Sequence, residues 1–95
     1  MVCRLLTGHR DAILEIAARH GASDVRVFGS MARGEESAES DVDFLVSLEA
    51  GRTLLDHVGL RQDLEELLGR PVDVVVDGGL SLYLRDRILA EALPL

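Results

Sequence analysis

The most constraining feature of this sequence is a strand–helix–strand unit between residues 41 and 77. Residues 41–48, DVDFLVSL, alternate between polar and apolar side chains, which is typical of a half-buried strand. Residues 54–68 carry apolar side chains at mostly helical spacing, and residues 71–77, PVDVVVD, are rich in β-branched side chains. Strands joined through a helix pair in parallel with a right-handed crossover, so this unit predicts a parallel pair packed against a helix.

The flanking segments complete one small domain. Residues 9–20 have helical spacing, residues 24–28 alternate as a strand does, and residues 81–93 carry the apolar stripe of a final helix. The loop between the first two strands is about a dozen residues long, which allows them to pair antiparallel. The order α-β-β-α-β-α therefore predicts an α/β (α+β) fold with a small three-stranded mixed sheet and packed helices, as one domain over residues 1–95.

Charge and composition exclude several classes of protein. The net charge is −7, so the phosphates of DNA or RNA repel the chain and we expect no direct non-specific nucleic-acid binding. No apolar run approaches the roughly 20 residues of a membrane helix, and the N-terminus lacks the pattern of an export signal. The single cysteine, Cys3, cannot form an internal disulfide, which fits a reducing compartment. We therefore expect a cytoplasmic protein without membrane association.

Three carboxylates are expected to meet a glycine turn at one edge of this sheet. Asp41 and Asp43 are two residues apart in a strand, so they share a face at the start of the second strand. Gly29 and Ser30 follow the first strand, whose end meets that start if the two strands are antiparallel. The third strand begins at the same edge because it is parallel to the second, and its start carries Asp73.

Asp77 is a rival for the third position because it has the same parity as Asp73. It lies four residues further along the strand, however, which is about 13 Å. Asp77 is therefore expected at the opposite edge of the sheet, and we prefer Asp73.

A divalent cation and a phosphate would suit this group of residues. Carboxylates held close together repel one another, and Mg²⁺ relieves that repulsion while leaving coordination positions for substrate phosphates. A glycine lets the backbone approach a phosphate, and the Ser30 hydroxyl and the Arg33 guanidinium both suit phosphate oxygens. Taken alone, Asp41 and Asp43 favour a solvated strand face, and Arg33 could instead form an ion pair with the acidic loop that follows it.

The three segments GSMARG, SDVDFLV and PVDVVV resemble the joint motif of the DNA polymerase β-like nucleotidyltransferase superfamily. Within it, the length and order of elements are similar to those of minimal nucleotidyltransferase (MNT) proteins. The resemblance implies transfer of a nucleotide from a nucleoside triphosphate, with Gly29 and Ser30 at the triphosphate. Asp41 and Asp43 would hold Mg²⁺, with two ions expected, and Asp73 would be the third metal-site carboxylate and the base that activates the acceptor hydroxyl.

The same resemblance implies a partner and a role. Stand-alone MNT proteins of this size are similar to the antitoxins of HEPN–MNT toxin–antitoxin pairs, which transfer AMP from ATP onto a tyrosine of the HEPN ribonuclease toxin. A chain of 95 residues has no room for a separate substrate domain, so its acceptor is expected on another protein. Two alternatives stay open: a non-catalytic module that neutralises its partner by masking it, and a nucleotidyltransferase that acts on a small molecule or RNA.

The remaining polar side chains favour structural roles. Ser40 is expected to cap or turn its loop, and Tyr83 to pack half-buried against the core. The three histidines are scattered along the chain, which favours surface or helix-end roles over metal ligation: His9, His20 and His57.

Overall fold

The computed structural model describes residues 4–34, 41–77 and 82–95, with the side chains of Arg4, Leu82 and Tyr83 left out. The predictions for Cys3, Ser40 and the Tyr83 side chain lie outside this description. Five helices are present in the described residues: α1 Arg4–Gly8, α2 Arg10–Arg19, α3 Ser30–Arg33, α4 Leu54–Leu68 and α5 Leu82–Glu91. Four strands accompany them: β1 Ala22–Phe28, β2 Val42–Leu48, β3 Val72–Val76 and β4 Leu93–Pro94. None of the described helices is long and apolar enough to cross a membrane.

The sheet has the strand order β3-β2-β1-β4. Strands β1 and β2 are antiparallel, and β2 and β3 are parallel, so both predicted pairings are confirmed. The start of β3 therefore lies beside the start of β2, and the start of β2 lies beside the end of β1. This arrangement is what positions the acidic residues.

The C-terminal end of the chain differs from its prediction. We predicted a helix over residues 81–93 and three strands, but α5 ends at Glu91 and Leu93–Pro94 forms a fourth strand beside β1. Pro94 explains the difference, since a proline disfavours the helical conformation in the residue before it. Leu93 becomes extended instead and pairs with Val27 on the free edge of β1.

Helix α4 begins and ends where its sequence predicts, at residues 54 and 68. Thr53 caps its start, because the Thr53 side chain accepts a hydrogen bond from the N–H of Leu55 while the Asp56 side chain accepts one from the N–H of Thr53. Gly69 ends the helix in a left-handed conformation with φ 67°.

One face of the sheet packs against α2 and α4 to form the core. Alternation in residues 41–48 puts Val42, Phe44, Val46 and Leu48 on one face. The first three are buried and Leu48 is half-buried against the core, and Val25 and Val27 of β1 are buried as well. The two helices contribute their apolar stripes to the same cluster: Ile13, Ile16, Ala17, Leu60, Leu64 and Leu68. Burial of this one stripe from each helix holds α2 and α4 against the sheet in a shared core.

Each histidine connects two elements. His9, just before α2, interacts through Nδ1 with the carbonyl of Leu5 at 2.8 Å. His20, just after α2, lies 2.7 Å from Asp63 of α4. His57 of α4 donates through Nε2 to the carbonyl of Val74 at 2.7 Å. These contacts agree with the predicted structural roles.

Candidate active site

The ends of three strands meet at one edge of the sheet. Phe28, the last residue of β1, pairs with Asp43 near the start of β2, and Asp43 pairs in turn with Asp73 near the start of β3. Asp41 precedes β2 and is exposed to solvent. The structure therefore brings Asp43 and Asp73 side by side, with Asp41 two residues earlier on the same segment.

Asp77 is found at the opposite end of the parallel pair. Its backbone N–H donates to the carbonyl of Val46 at 2.8 Å. Its carboxylate accepts a hydrogen bond from Arg85 of α5, also at 2.8 Å. Asp77 thus has a cationic partner of its own and lies away from the edge that carries Asp73.

Asp43 has the most perturbed environment of the predicted carboxylates. Its side chain is half-buried, and burial raises its pKa above the ordinary value of 3.8. Repulsion from Asp73, Asp41 and Glu91 raises the pKa further, while Arg33 lowers it. The charged groups that act on Asp43 are thus three carboxylates and one guanidinium, so negative charge exceeds positive charge around it.

Gly29 is required at the turn that follows β1. Its φ of 74° and ψ of −152° lie in a region that side chains other than glycine rarely adopt. A Cβ added there would collide with Oδ2 of Asp43 and come within 3.2 Å of its Cγ. Glycine therefore allows the turn and the Asp43 carboxylate to occupy adjoining positions.

The SMAR segment forms the short helix α3 directly after Gly29. Ser30 is its first residue and is half-buried, so it lies at the predicted edge beside the glycine turn. Arg33 is its last residue, and its Nη1 lies 3.3 Å from both carboxylate oxygens of Glu91 on α5. Arg33 therefore pairs with α5, and the loop at 35–40, which we considered as its alternative partner, lies outside the described residues.

Glu91 is the residue of this site that the sequence interpretation missed. Its Oε1 accepts a hydrogen bond from the backbone N–H of Gly29 at 2.9 Å, in addition to its contact with Arg33. A signal for it was present, because Leu84, Ile88 and Glu91 are spaced four and then three residues apart. That spacing puts an acidic side chain on the apolar stripe of the last helix.

A cleft of about 280 Å³ lies beside the glycine turn. Phe28 and Gly29 form one wall, and α5 forms the other with both apolar and charged side chains. The residues from α5 are Leu84, Arg87, Ile88 and Glu91. A cleft with mostly apolar walls and a few charged groups is typical of a small-molecule site.

The residues present fit Mg²⁺ in their chemistry and in their backbone placement. Carboxylate oxygens are the ligands that Mg²⁺ prefers, and the repulsion that raises the pKa of Asp43 is what a cation would relieve. Within the described ranges, no group of three or more His, Cys, Asp or Glu side chains is gathered as a metal site requires. The carboxylates of Asp41, Asp43 and Asp73 would therefore have to draw together when an ion binds.

Comparison with known proteins identifies relatives over nearly the whole chain. The family model of the nucleotidyltransferase domain matches residues 10–95. A Methanocaldococcus jannaschii protein named as a candidate protein adenylyltransferase is 45% identical over 80 residues, which are 84% of this chain and 86% of the relative. The protein adenylyltransferase MntA of Thermococcus cleftensis is 39% identical over 87 residues, which are 92% of this chain and 85% of the relative.

Solved structures share the fold. The structure of a candidate minimal nucleotidyltransferase matches with a TM-score of 0.89 at 54% identity, covering 100% of this chain and 97% of that one. A toxin–antitoxin crystal structure with AMP-PNP matches with a TM-score of 0.77 at 21% identity, covering 88% of this chain and 69% of that one. The mixed sheet with packed helices is thus the architecture of these proteins as well.

Proposed function

Because this chain belongs to the nucleotidyltransferase domain family, we propose that it transfers AMP from ATP, with Mg²⁺, to a hydroxyl group of a partner HEPN ribonuclease toxin. The acceptor would be a tyrosine, and the modification would neutralise the toxin. Two relatives at 45% and 39% identity are named protein adenylyltransferases, which supports AMP as the transferred group. The toxin–antitoxin structure with AMP-PNP has the same fold, which supports a toxin as the acceptor protein.

The polar groups at this edge of the sheet are of two kinds, hydrogen-bond donors and carboxylates. The N–H of Gly29, the hydroxyl of Ser30 and the guanidinium of Arg33 are donors for triphosphate oxygens. Asp41, Asp43 and Asp73 would hold Mg²⁺, which would neutralise charge on the triphosphate when bound. Family resemblance assigns Asp73 a second role as the base. It would accept the acceptor hydroxyl's proton as that oxygen bonds to the α-phosphorus and pyrophosphate leaves.

The observation that carries this proposal is the register across three strands. Phe28 pairs with Asp43, and Asp43 pairs with Asp73, so the glycine turn after β1 adjoins two carboxylates from two other strands. Nucleotide transfer requires a phosphate-binding turn beside carboxylates that can hold a metal ion. Most of the catalysis comes from positioning the triphosphate and neutralising its charge.

Incubation of the protein with a candidate toxin, encoded beside it in the genome, tests the proposal. With ATP and Mg²⁺, the toxin mass should increase by one or more AMP units. The double variant Asp41→Asn with Asp43→Asn should leave the mass unchanged while remaining folded. An unmodified toxin across nucleotides and metal ions, in a pair that binds, would contradict transfer.

Exposed leucines favour a second candidate function, in which the protein neutralises its partner by covering it. Leu54 and Leu55 are neighbours at the start of α4 and are 73% and 82% exposed. Large exposed apolar side chains are typical of docking surfaces when they form a patch. The same double variant distinguishes the two functions, since masking would survive loss of both carboxylates and transfer would not.

A further inference from the structure

The carboxylate of Glu91 accepts hydrogen bonds from two donors that the proposed site offers to phosphate, the N–H of Gly29 and the guanidinium of Arg33. Oε1 of Glu91 accepts the Gly29 N–H at 2.9 Å, and both Glu91 oxygens lie 3.3 Å from Nη1 of Arg33. One donor belongs to the glycine turn and the other to the far end of α3, so the carboxylate bridges the segment from 29 to 33.

The donors that hold Glu91 are the donors that a phosphate would need. A backbone N–H and a guanidinium form charge-assisted hydrogen bonds with anionic oxygens, and they do so for carboxylates and phosphates alike. Glu91 also raises the pKa of Asp43, as Asp73 and Asp41 do, which puts its charge within the electrostatic reach of the other carboxylates. While Glu91 accepts from them, the N–H of Gly29 and Nη1 of Arg33 are not available to a triphosphate.

We propose that Glu91 sets the affinity of this site for the triphosphate, because its carboxylate is an internal competitor that the nucleotide must displace. This inference rests on the proposed nucleotide site. Glu91 is then a positioning residue of the unliganded protein. Its hydrogen bonds hold the glycine turn and Arg33 in place, and they break when the triphosphate binds to those donors.

Exposure of the pair makes this exchange feasible. The Glu91 side chain is 37% exposed and that of Arg33 is 48% exposed, so water reaches both. A carboxylate at the end of a helix can turn into solvent by rotating its side chain, without unfolding the helix.

Binding of AMP-PNP with Mg²⁺ to the full chain, followed by calorimetry, tests the proposal. Glu91→Gln keeps the size and one acceptor oxygen but removes the charge that competes with phosphate. Its dissociation constant should fall by about tenfold, in line with the difference between charged and neutral hydrogen bonds. Asp86→Asn is the matched control, because Asp86 is an exposed acid on α5 and its loss changes the net charge by the same amount. Affinity in this control should stay close to that of the natural protein.

Thermal unfolding separates competition from a purely structural role. Without nucleotide, Glu91→Gln should melt below the natural protein, because Gly29 and Arg33 lose a charged partner. With saturating AMP-PNP, the difference should close. A variant that is less stable but binds with unchanged or weaker affinity would overturn the inference alone. If neither protein binds AMP-PNP, the proposed function fails and the inference fails with it.

Discussion

The two ends of the parallel pair formed by β2 and β3 carry the same residue type in opposite circumstances. Asp73, near the start of β3, is paired in the sheet with Asp43, so two carboxylates stand side by side. Asp77, just past the end of β3, accepts a hydrogen bond from Arg85 at 2.8 Å. The strand is the same, and the two aspartates are only four residues apart.

The difference teaches that neighbours, and not residue type, decide which carboxylate is available for chemistry. At the Asp77 end, the carboxylate pairs with the guanidinium of Arg85. At the Asp43 end, burial and repulsion raise the pKa of Asp43, and the fold leaves an excess of negative charge. Such an unbalanced group is typical of a functional site, because it becomes stable only when a ligand completes it.

The largest expected effect comes from exchanging the two aspartates for asparagine in turn. Asp73→Asn should lower the rate of AMP transfer about 10²–10⁴-fold, which is the usual contribution of a general base. Binding of ATP with Mg²⁺ should be largely retained. Asp77→Asn should leave the transfer rate close to that of the natural protein. Transfer rates by mass spectrometry and ATP affinities by calorimetry check both variants. If Asp77→Asn slowed transfer and Asp73→Asn did not, the assignment of Asp73 as the base would be wrong.

A second variant disturbs the carboxylate end through the backbone. Gly29→Ala should lower the free energy of unfolding by about 1–3 kcal/mol, the cost of a side chain in a sparsely populated backbone region. It should also slow transfer, because the new Cβ would displace the Asp43 carboxylate.

Gly34→Ala is the control for that variant. Gly34 has the same φ of 74°, but among the described residues other than its own neighbours in the chain, none comes within 4 Å of the position that a Cβ would take there. It should cost about 1–2 kcal/mol of backbone strain and leave transfer intact. Urea unfolding and transfer rates measure the two effects, and equal rates in both alanine variants would contradict a role for the Gly29–Asp43 approach.

The smallest expected effect is on the free energy of unfolding, which Asp43→Asn and Asp77→Asn should change in opposite directions. The raised pKa of Asp43 means that its ionised form opposes folding at neutral pH, and that this opposition fades as pH falls through the raised pKa toward 3.8. Asp43→Asn should therefore stabilise the metal-free protein at pH 7 and lose that advantage in acid. Asp77→Asn should destabilise it at pH 7, because Arg85 loses its partner. Urea unfolding at several pH values checks this, and destabilisation by both variants at pH 7 would mean that the two ends are alike.

Much of the fold and the position of the candidate site could be predicted from the sequence. Alternation in residues 41–48 identified the buried face of β2, and the helix at 54–68 required β3 to run parallel to it. The parallel direction places Asp73 beside the start of β2, and a separation of four residues along the strand places Asp77 at the other end, as the register confirms. Local periodicity and the rule that strands joined through a helix pair in parallel were enough, because the unit is short and contiguous in sequence.

Glu91 and β4 could not be predicted in the same way. Glu91 contacts Gly29 across 62 residues of sequence. Its spacing from Leu84 and Ile88 indicates its face of α5, but periodicity does not say which distant segment that face meets. The end of α5 was wrong in the prediction because the apolar stripe continued to Leu93, whereas Pro94 stops a helix for a reason of backbone sterics. Interactions between distant segments depend on packing, which a single sequence does not reveal.

The contact of His57 with β3 has a consequence for how the molecule meets copies of itself. Strand β3 is at the edge of the sheet, and exposed edges act as templates on which further strands of other chains can form. Here two side chains of α4 bind that edge: His57 donates to the carbonyl of Val74, and Glu65 accepts the N–H of Val72 at 3.2 Å. A second chain would have to break both hydrogen bonds before it could extend the sheet at β3, so the fold guards this side against edge-to-edge aggregation.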